Sequence, residues 1–331
     1  MAHAGGRPRK AVTVEAIPDL EYFTVQQAAD LTGTHIHTIQ ARLRDGTLKG
    51  KKLGGKWKIY RESLFNVKVD ADLNTETRWK NMILTVAMGK GGTAKSTTAA
   101  AIANLARMNG EKVLVLDIDP QGNCTVALGG DNGGTGMYDL LTRKSKPAKL
   151  IQRTPQADLI PAGEELANAI AAIQNKPGRD NILKAALAPV VGLYDLIIID
   201  TPPDINTLLI NALAASDTVL LPMQATLFCF MGLQQMGETI AQVREYCNPN
   251  LGITGIVLTK HNPRSALARD IVPEIQQQAQ AMGTKVFNTH IRQAAAVEQA
   301  QIMRQSIFEY APRSTAAADY MALYAEMNLK G

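Results

Sequence analysis

The run Met88-Gly89-Lys90-Gly91-Gly92-Thr93-Ala94-Lys95-Ser96-Thr97 carries two lysines where one would hold a phosphate. It nearly fits the phosphate-loop pattern G-x-x-x-x-G-K-[ST] from Gly89 to Ser96, with Ala94 in the place of the second glycine. Met82–Met88 reads as a strand, and Lys95 opens an Ala-rich helical stretch to Asn109. The loop between them therefore sits where a helix N-terminus and free backbone N–H groups face an anion. Lys95 is expected to reach the β- and γ-phosphates of a nucleotide, and Ser96 to ligate Mg²⁺. Ala94 is harmless if its backbone is helical and harmful if a positive φ is needed.

Working outward, two more strand ends are acidic. Val113–Asp117 continues into Ile118-Asp119-Pro120-Gln121-Gly122-Asn123, giving two aspartates of alternate facing. Leu196-Ile197-Ile198-Ile199-Asp200 is four apolar residues and a carboxylate, in the form of a Walker B strand. Further apolar runs lie at Thr218–Pro222 and Ile253–Leu258, with helical stretches at Ile205–Ala215, Met231–Cys247 and Ala266–Ala281. Strands alternating with helices predict an α/β fold whose mainly parallel sheet is covered by helices on both faces. Such a sheet binds its ligand at the carboxyl ends of its strands, which is where the three motifs fall.

The first quarter of the chain has a different character. Residues 1–80 hold 14 Lys and Arg against 9 Asp and Glu, while residues 81–331 hold 21 of each. The whole net charge of +5 is thus N-terminal, which points to a polyanion partner. No apolar run reaches the length of a membrane span, and the three cysteines lack any metal-ligand spacing.

Residues 21–65 read as a winged helix-turn-helix. Thr24 caps a first helix bearing Val25, Ala28, Ala29 and Leu31, and Thr32-Gly33-Thr34 makes the turn. The second helix, to about Arg44, aligns Ile36, Ile39 and Leu43 and leaves His35, His37, Thr38, Gln40 and Arg42 to its other faces. Leu48–Lys52 and Lys56–Tyr60 form a hairpin around Gly54-Gly55. Such a helix is sized for a major groove, and the hairpin lysines Lys49, Lys51, Lys52, Lys56 and Lys58 for the phosphates beside it. The segment FTVQQAADLTGTHIHTIQARLRDGTLKGKKLGGKWKIYRESL resembles the excisionase and MerR-like DNA-binding domains, although His35 and His37 stand where those families often place arginines. Residues 1–20 read as a basic flexible tail, within which Gly6–Lys10 resembles an AT-hook core, and residues 66–80 as a linker.

KGGTAKST, VLVLDIDPQGN and LIIIDTPP, in this order and spacing, resemble the ParA family of deviant-Walker ATPases, which includes MinD-like relatives. IFEYAPRSTAAADY resembles the family's closing segment, so the resemblance covers residues 81–331. It implies ATP and Mg²⁺ as cofactors, with nucleotide contacts along Gly89, Lys90, Gly91, Gly92, Thr93, Ala94, Lys95, Ser96 and Thr97. It further implies an ATP-dependent homodimer in which Lys90 crosses to the partner's nucleotide, which accounts for the second lysine. Lys95 and Lys90 are then expected to stabilise phosphoryl charge, and Asp119 to position the attacking water. Asp117 and Asp200 would act on the Mg²⁺ shell, and Lys260, Asn262 and Pro312 would line the adenine pocket. Arg292, Arg304 and Arg313 are candidates for sequence-independent DNA contacts. The function implied is DNA segregation by a cytoplasmic, nucleoid-associated ATPase stimulated by a ParB-type partner, its N-terminal domain binding specific DNA. The alternatives are an ATP-responsive transcriptional regulator and a MinD-like positioning ATPase. The latter needs a basic amphipathic C-terminal helix, whereas Ser314–Gly331 has only Lys330 as a positive residue.

Overall fold

The computed structural model describes residues 22–26, 28, 43, 48–54, 56–60, 79–262 and 265–327. The chain divides into two compact units, Met1–Glu76 and Thr77–Gly331.

In the smaller unit, β1 (Tyr22–Thr24), β2 (Gly50–Leu53) and β3 (Lys56–Tyr60) form an antiparallel sheet in the order β1-β3-β2. The hairpin is the one the sequence indicates, and β1 is an addition to it. Thr24, read as a helix cap, ends β1 and directly precedes helical Val25. Ala28, Leu43, Leu48 and Ile59 make a small core, against which Val25 and Trp57 pack. Lys51 stands opposite Lys58, and Lys52 opposite Trp57, whose ring centroid lies 5.4 Å from the Lys52 ammonium. Like charges facing each other across a ladder repel, an arrangement that a polyanion would relieve. His35, His37, Thr38, Gln40 and Arg42 lie outside the described residues, as does the basic tail.

The larger unit is built on seven strands. They are β4 (Met82–Val86), β5 (Val113–Asp117), β6 (Gln152–Arg153), β7 (Asp158–Ile160), β8 (Leu196–Asp200), β9 (Thr218–Met223) and β10 (Gly252–Leu258). Their order is β10-β9-β4-β8-β5-β7-β6, parallel throughout except for β6 at the edge. Every residue of β5 and β8 is buried, as expected of strands covered on both faces. One face is covered by α1 (Lys95–Met108), with α2 (Asn123–Ala127) beside it. The other carries α3 (Met137–Thr142), α4 (Ala169–Ile173), α5 (Ile182–Leu187) and α6 (Thr207–Ala215). Toward β9 and β10, α7 (Leu227–Tyr246) and α8 (Ala266–Ala281) extend that cover. The chain closes with α9 (Ala295–Ile302), α10 (Ile307–Tyr310) and α11 (Thr315–Glu326) packed with α1.

The strand order puts the motifs together. β8 is inserted between β4 and β5, so Asp200 is the register partner of both Val86 and Asp117. The loop after β4 and the two acidic strand ends therefore emerge side by side. Helix starts follow local caps: the Asn206 side chain accepts from Leu208 and Leu209 N–H, and Thr226 from that of Cys229. These caps place α6 at Thr207 rather than Ile205, and α7 at Leu227 rather than Met231.

One boundary needs correction. Trp79, assigned from sequence to the linker 66–80, is buried in the core beneath α1 and α11, and its Nε1 donates to the Tyr324 hydroxyl at 3.3 Å. A single aromatic among polar residues gives no periodic signal, so its burial was invisible to pattern. Trp79→Ala is expected to lower the stability of the larger unit by about 3–5 kcal/mol, the range for deleting a buried large aromatic. A urea melt that leaves the midpoint unchanged would return Trp79 to the linker.

Candidate nucleotide site

The loop that opens the site is held in a strained form. Gly92 has φ 77°, a conformation glycine adopts freely. Ala94, the N-cap of α1, has φ 64° and ψ 30°. The left-handed region costs a residue with Cβ about 1–2 kcal/mol, so the position where the motif has glycine is the one where glycine is favoured. The loop keeps its shape with alanine because neighbours brace it. Gln224 Nε2 donates to the Gly92 carbonyl at 2.9 Å, and the Thr259 hydroxyl to that of Thr93 at 3.0 Å. No side chain caps α1, so its first-turn N–H groups remain available to an anion.

Lys95 is buried, and its Nζ donates to the Lys90 carbonyl at 3.1 Å. Burial lowers its pKa, against the attraction of Asp200, Asp119 and Asp204. Lys90 points the other way. It is exposed, and its ammonium lies 5.7 Å from the ring centroid of Phe228 at the start of α7.

The acidic strand ends differ in how they are satisfied. Asp117 Oδ2 accepts from the Thr125 N–H and hydroxyl, each at 2.7 Å, and Oδ1 from the Asp119 N–H at 3.2 Å. Burial still pushes it up to about 6. Asp200 is wholly buried, and neither of its oxygens has a hydrogen-bond partner. The Ser96 hydroxyl stands near Asp200 without closing a bond of normal geometry. Burial, then the charge of Asp117, raise the Asp200 pKa well above the carboxylate range. Asp119 accepts from the Gln121 N–H at 3.0 Å and is also raised, chiefly by burial.

Beside these groups opens a cavity of about 520 Å³, within the range of small-molecule sites. Residues 91–97, Asp119 and Lys260 contribute to its wall, while Gly89, Lys90, Asp117 and Asp200 lie outside the lining. Asn262 and Pro312, expected at the adenine end, do not line it. That wall comes instead from Ile291 to Ala294 and from Val297, Glu298 and Gln301 of α9. The Gln301 amide donates to the Thr97 hydroxyl at 2.9 Å. Sequence reading missed α9, an eight-residue helix whose apolar positions mark no clear stripe. Of the arginines offered for DNA, Arg292 lines this cavity and its guanidinium is tied to Asp319 at 2.6 and 2.9 Å. Arg304 and Arg313 are exposed, the former with φ 53° at the end of α9.

An uncapped helix start, a buried lysine and a buried carboxylate without donors suit a nucleotide phosphate with its divalent cation. Set at the end of a central parallel strand, they define a P-loop nucleoside triphosphatase. Known proteins agree. A family described as an AAA domain matches residues 81–253, and one described as a helix-turn-helix domain matches residues 22–66. The chain is 34% identical over 253 residues to the sporulation initiation inhibitor protein Soj of Bacillus subtilis, covering 75% of this chain and 99% of that protein. It is 32% identical over 251 residues to the chromosome partitioning protein ParA of Caulobacter vibrioides, covering 74% and 93% respectively. Among solved structures, cobyrinic acid a,c-diamide synthase from Mycobacterium smegmatis with bound ADP and magnesium aligns with a TM-score of 0.64 and 30% identity. That alignment covers 74% of this chain and 92% of the synthase.

The chain belongs to the ParA family of partition ATPases, with a helix-turn-helix domain ahead of the ATPase domain. The same synthase is also known with a bound ATP analogue and magnesium, at the same TM-score of 0.64 and 30% identity.

Asp200→Asn removes a buried charge that lacks donors. It is expected to raise nucleotide-free stability by about 1–3 kcal/mol. The same change should abolish the extra stabilisation that Mg²⁺ adds to ATP binding. Thermal melts with ATP, with and without Mg²⁺, measure both, and a variant that keeps the full Mg²⁺ increment would place the cation elsewhere.

Proposed function

We propose that this protein is a DNA-segregation ATPase that works as an ATP-dependent homodimer, binds DNA non-specifically in that state, and hydrolyses ATP when stimulated by a ParB-type partner. The carrying observation is the divergence of the two lysines. Lys95 turns into its own subunit's loop, whereas Lys90 lies outside the cavity wall and is exposed. A cation with no task in its own pocket is available for phosphates held by a second copy. The name of the ParA relative supports partition as the setting.

Bound ATP and Mg²⁺ supply the transferable phosphoryl group and the neutralisation of its charge. The chain's own groups hold and orient them. Lys95, the N–H groups at the start of α1 and Ser96 would hold the phosphates and cation. Asp200, whose oxygens lack hydrogen-bond partners, would hold the cation, while Asp117, through its bonds to Thr125 and Asp119, fixes the loop that carries Asp119. Asp119 would orient the attacking water. The N-terminal domain binds a specific DNA site through its second helix, with the wing lysines on the flanking phosphates. Against a membrane-positioning role, α11 buries Ala316, Ala317, Tyr320, Leu323 and Tyr324, so its apolar side is already covered. Among the described residues, no helix is long and apolar enough to cross a membrane.

Two measurements test this reading. Lys90→Ala is expected to bind ATP nearly normally but to sediment as a monomer with ATP and Mg²⁺; a variant that dimerises like wild type would remove the intersubunit role. Removing residues 1–76 should abolish binding to a specific operator while sparing ATP-dependent binding to arbitrary duplex. If the truncated protein binds no duplex with either ATP or ADP, the N-terminal domain is the sole DNA surface and the segregation mechanism fails.

A further inference from the structure

Away from the nucleotide site, a second cavity of about 650 Å³ opens between α3, the Pro147 turn, the Lys176-Pro177 turn and α5. It shares no lining residue with the nucleotide cavity. Its floor is apolar: Leu141 and Pro147 are buried, and Ile182 and Ala186 of α5 form a half-buried wall. Three lysines, Lys144, Lys146 and Lys176, also line it, and no carboxylate does.

The charge at this mouth is uncompensated. The neighbouring acids Asp139 and Glu165 are both taken by Arg143, at 2.7 and 2.5 Å. None of the three lysines makes an ion pair among the described residues. Lys144 also sits at φ 54°, just past the C-cap of α3, a position at which glycine relieves about 1–2 kcal/mol of strain. A lysine is held there all the same, beside Lys146 and opposite a third from a separate loop.

We propose that this groove docks an acidic amphipathic segment of a partner protein. Apolar side chains of the segment fill the floor, and its carboxylates meet Lys144, Lys146 and Lys176. Apolar anchors ringed by complementary charge are how a helix seats in a groove, with the charge guiding encounter and register. DNA fits less well, because a phosphate backbone has no apolar groups with which to fill a floor of leucine, proline and isoleucine. The groove goes beyond the partition reading and does not require Lys90 or the dimer.

The test uses the full chain and a fluorescein-labelled 14-residue peptide with leucines at helical i, i+3, i+4 spacing and glutamates elsewhere. Controls are the same peptide with lysine for glutamate, and a labelled random 20-base-pair duplex. Fluorescence anisotropy is read for wild type, the charge-reversed Lys144→Glu/Lys176→Glu protein, and Ala186→Trp, which fills the groove. Saturable binding of the acidic peptide is expected for wild type, weakened at least tenfold in each variant, with no binding of the basic peptide. ATP turnover near wild type in both variants would show that they fold. The proposal is overturned if wild type does not bind the acidic peptide, or if both variants bind it as well as wild type does. It is equally overturned if charge reversal weakens only the duplex, which would make these lysines a DNA contact.

Discussion

Two buried carboxylates in register across neighbouring parallel strands would ordinarily destabilise a sheet. Asp117 and Asp200 are such a pair, and the organisation of the ATPase unit follows from how their charge is handled. Asp117 is satisfied internally by Thr125 and the Asp119 N–H, which ties the end of β5 to the start of α2. Asp200 is left without donors, and its nearest counter-charge is the buried Lys95. Burial raises the Asp200 pKa and lowers that of Lys95, so each group is kept in its charged form at a cost. On the proposed function, a cation and a phosphate would supply the missing partners.

Keeping that geometry requires a stiff loop, and Ala94 shows where the stiffness comes from. Its left-handed backbone opposes the intrinsic preference of an alanine. Gln224, at the end of β9, and Thr259, just past β10, hold the loop from the side away from the acidic strands. The β9 and β10 half of the sheet thus braces the loop, and Lys260, next after Thr259, adds to the cavity wall. Strain of this size persists only where surrounding contacts over-determine the backbone.

Much of this was legible in the sequence, for reasons that can be named. β5 and β8 were readable to the residue because a fully buried parallel strand is a continuous apolar run ending in a charge. The α/β class and the phosphate loop followed from the strand–loop–helix context. Strand order was not legible, since nothing local to Leu196–Asp200 says that it inserts between β4 and β5. The wall supplied by α9 was missed for a related cause: residues 291–301 reach the cavity through the bridge between Thr259 and Ile291, a tertiary contact with no local signature. Asn262 and Pro312, chosen by analogy of position, fall outside the lining for the same reason. The short segments between Asn123 and Leu193 were unread because five- and six-residue helices are too brief to show a period.

Arg292 illustrates why residue type alone is a poor guide to a DNA surface. In the sequence it is one of several arginines in the closing region of the chain. In the structure its guanidinium is bidentate on Asp319 of α11, and its backbone N–H donates to the same carboxylate at 3.0 Å. Its pKa rises, first through that hydrogen bonding. A phosphate would have to displace a carboxylate already matched to the arginine fork, exchanging one charge-assisted pair for another. The pair also joins the cavity wall to the helix whose Tyr320 lines that cavity and whose Tyr324 meets Trp79. Arg292, whose side chain is half exposed, thereby also connects the nucleotide wall with the core beneath α1. A non-specific DNA surface of the kind proposed would draw on residues that lack such partners.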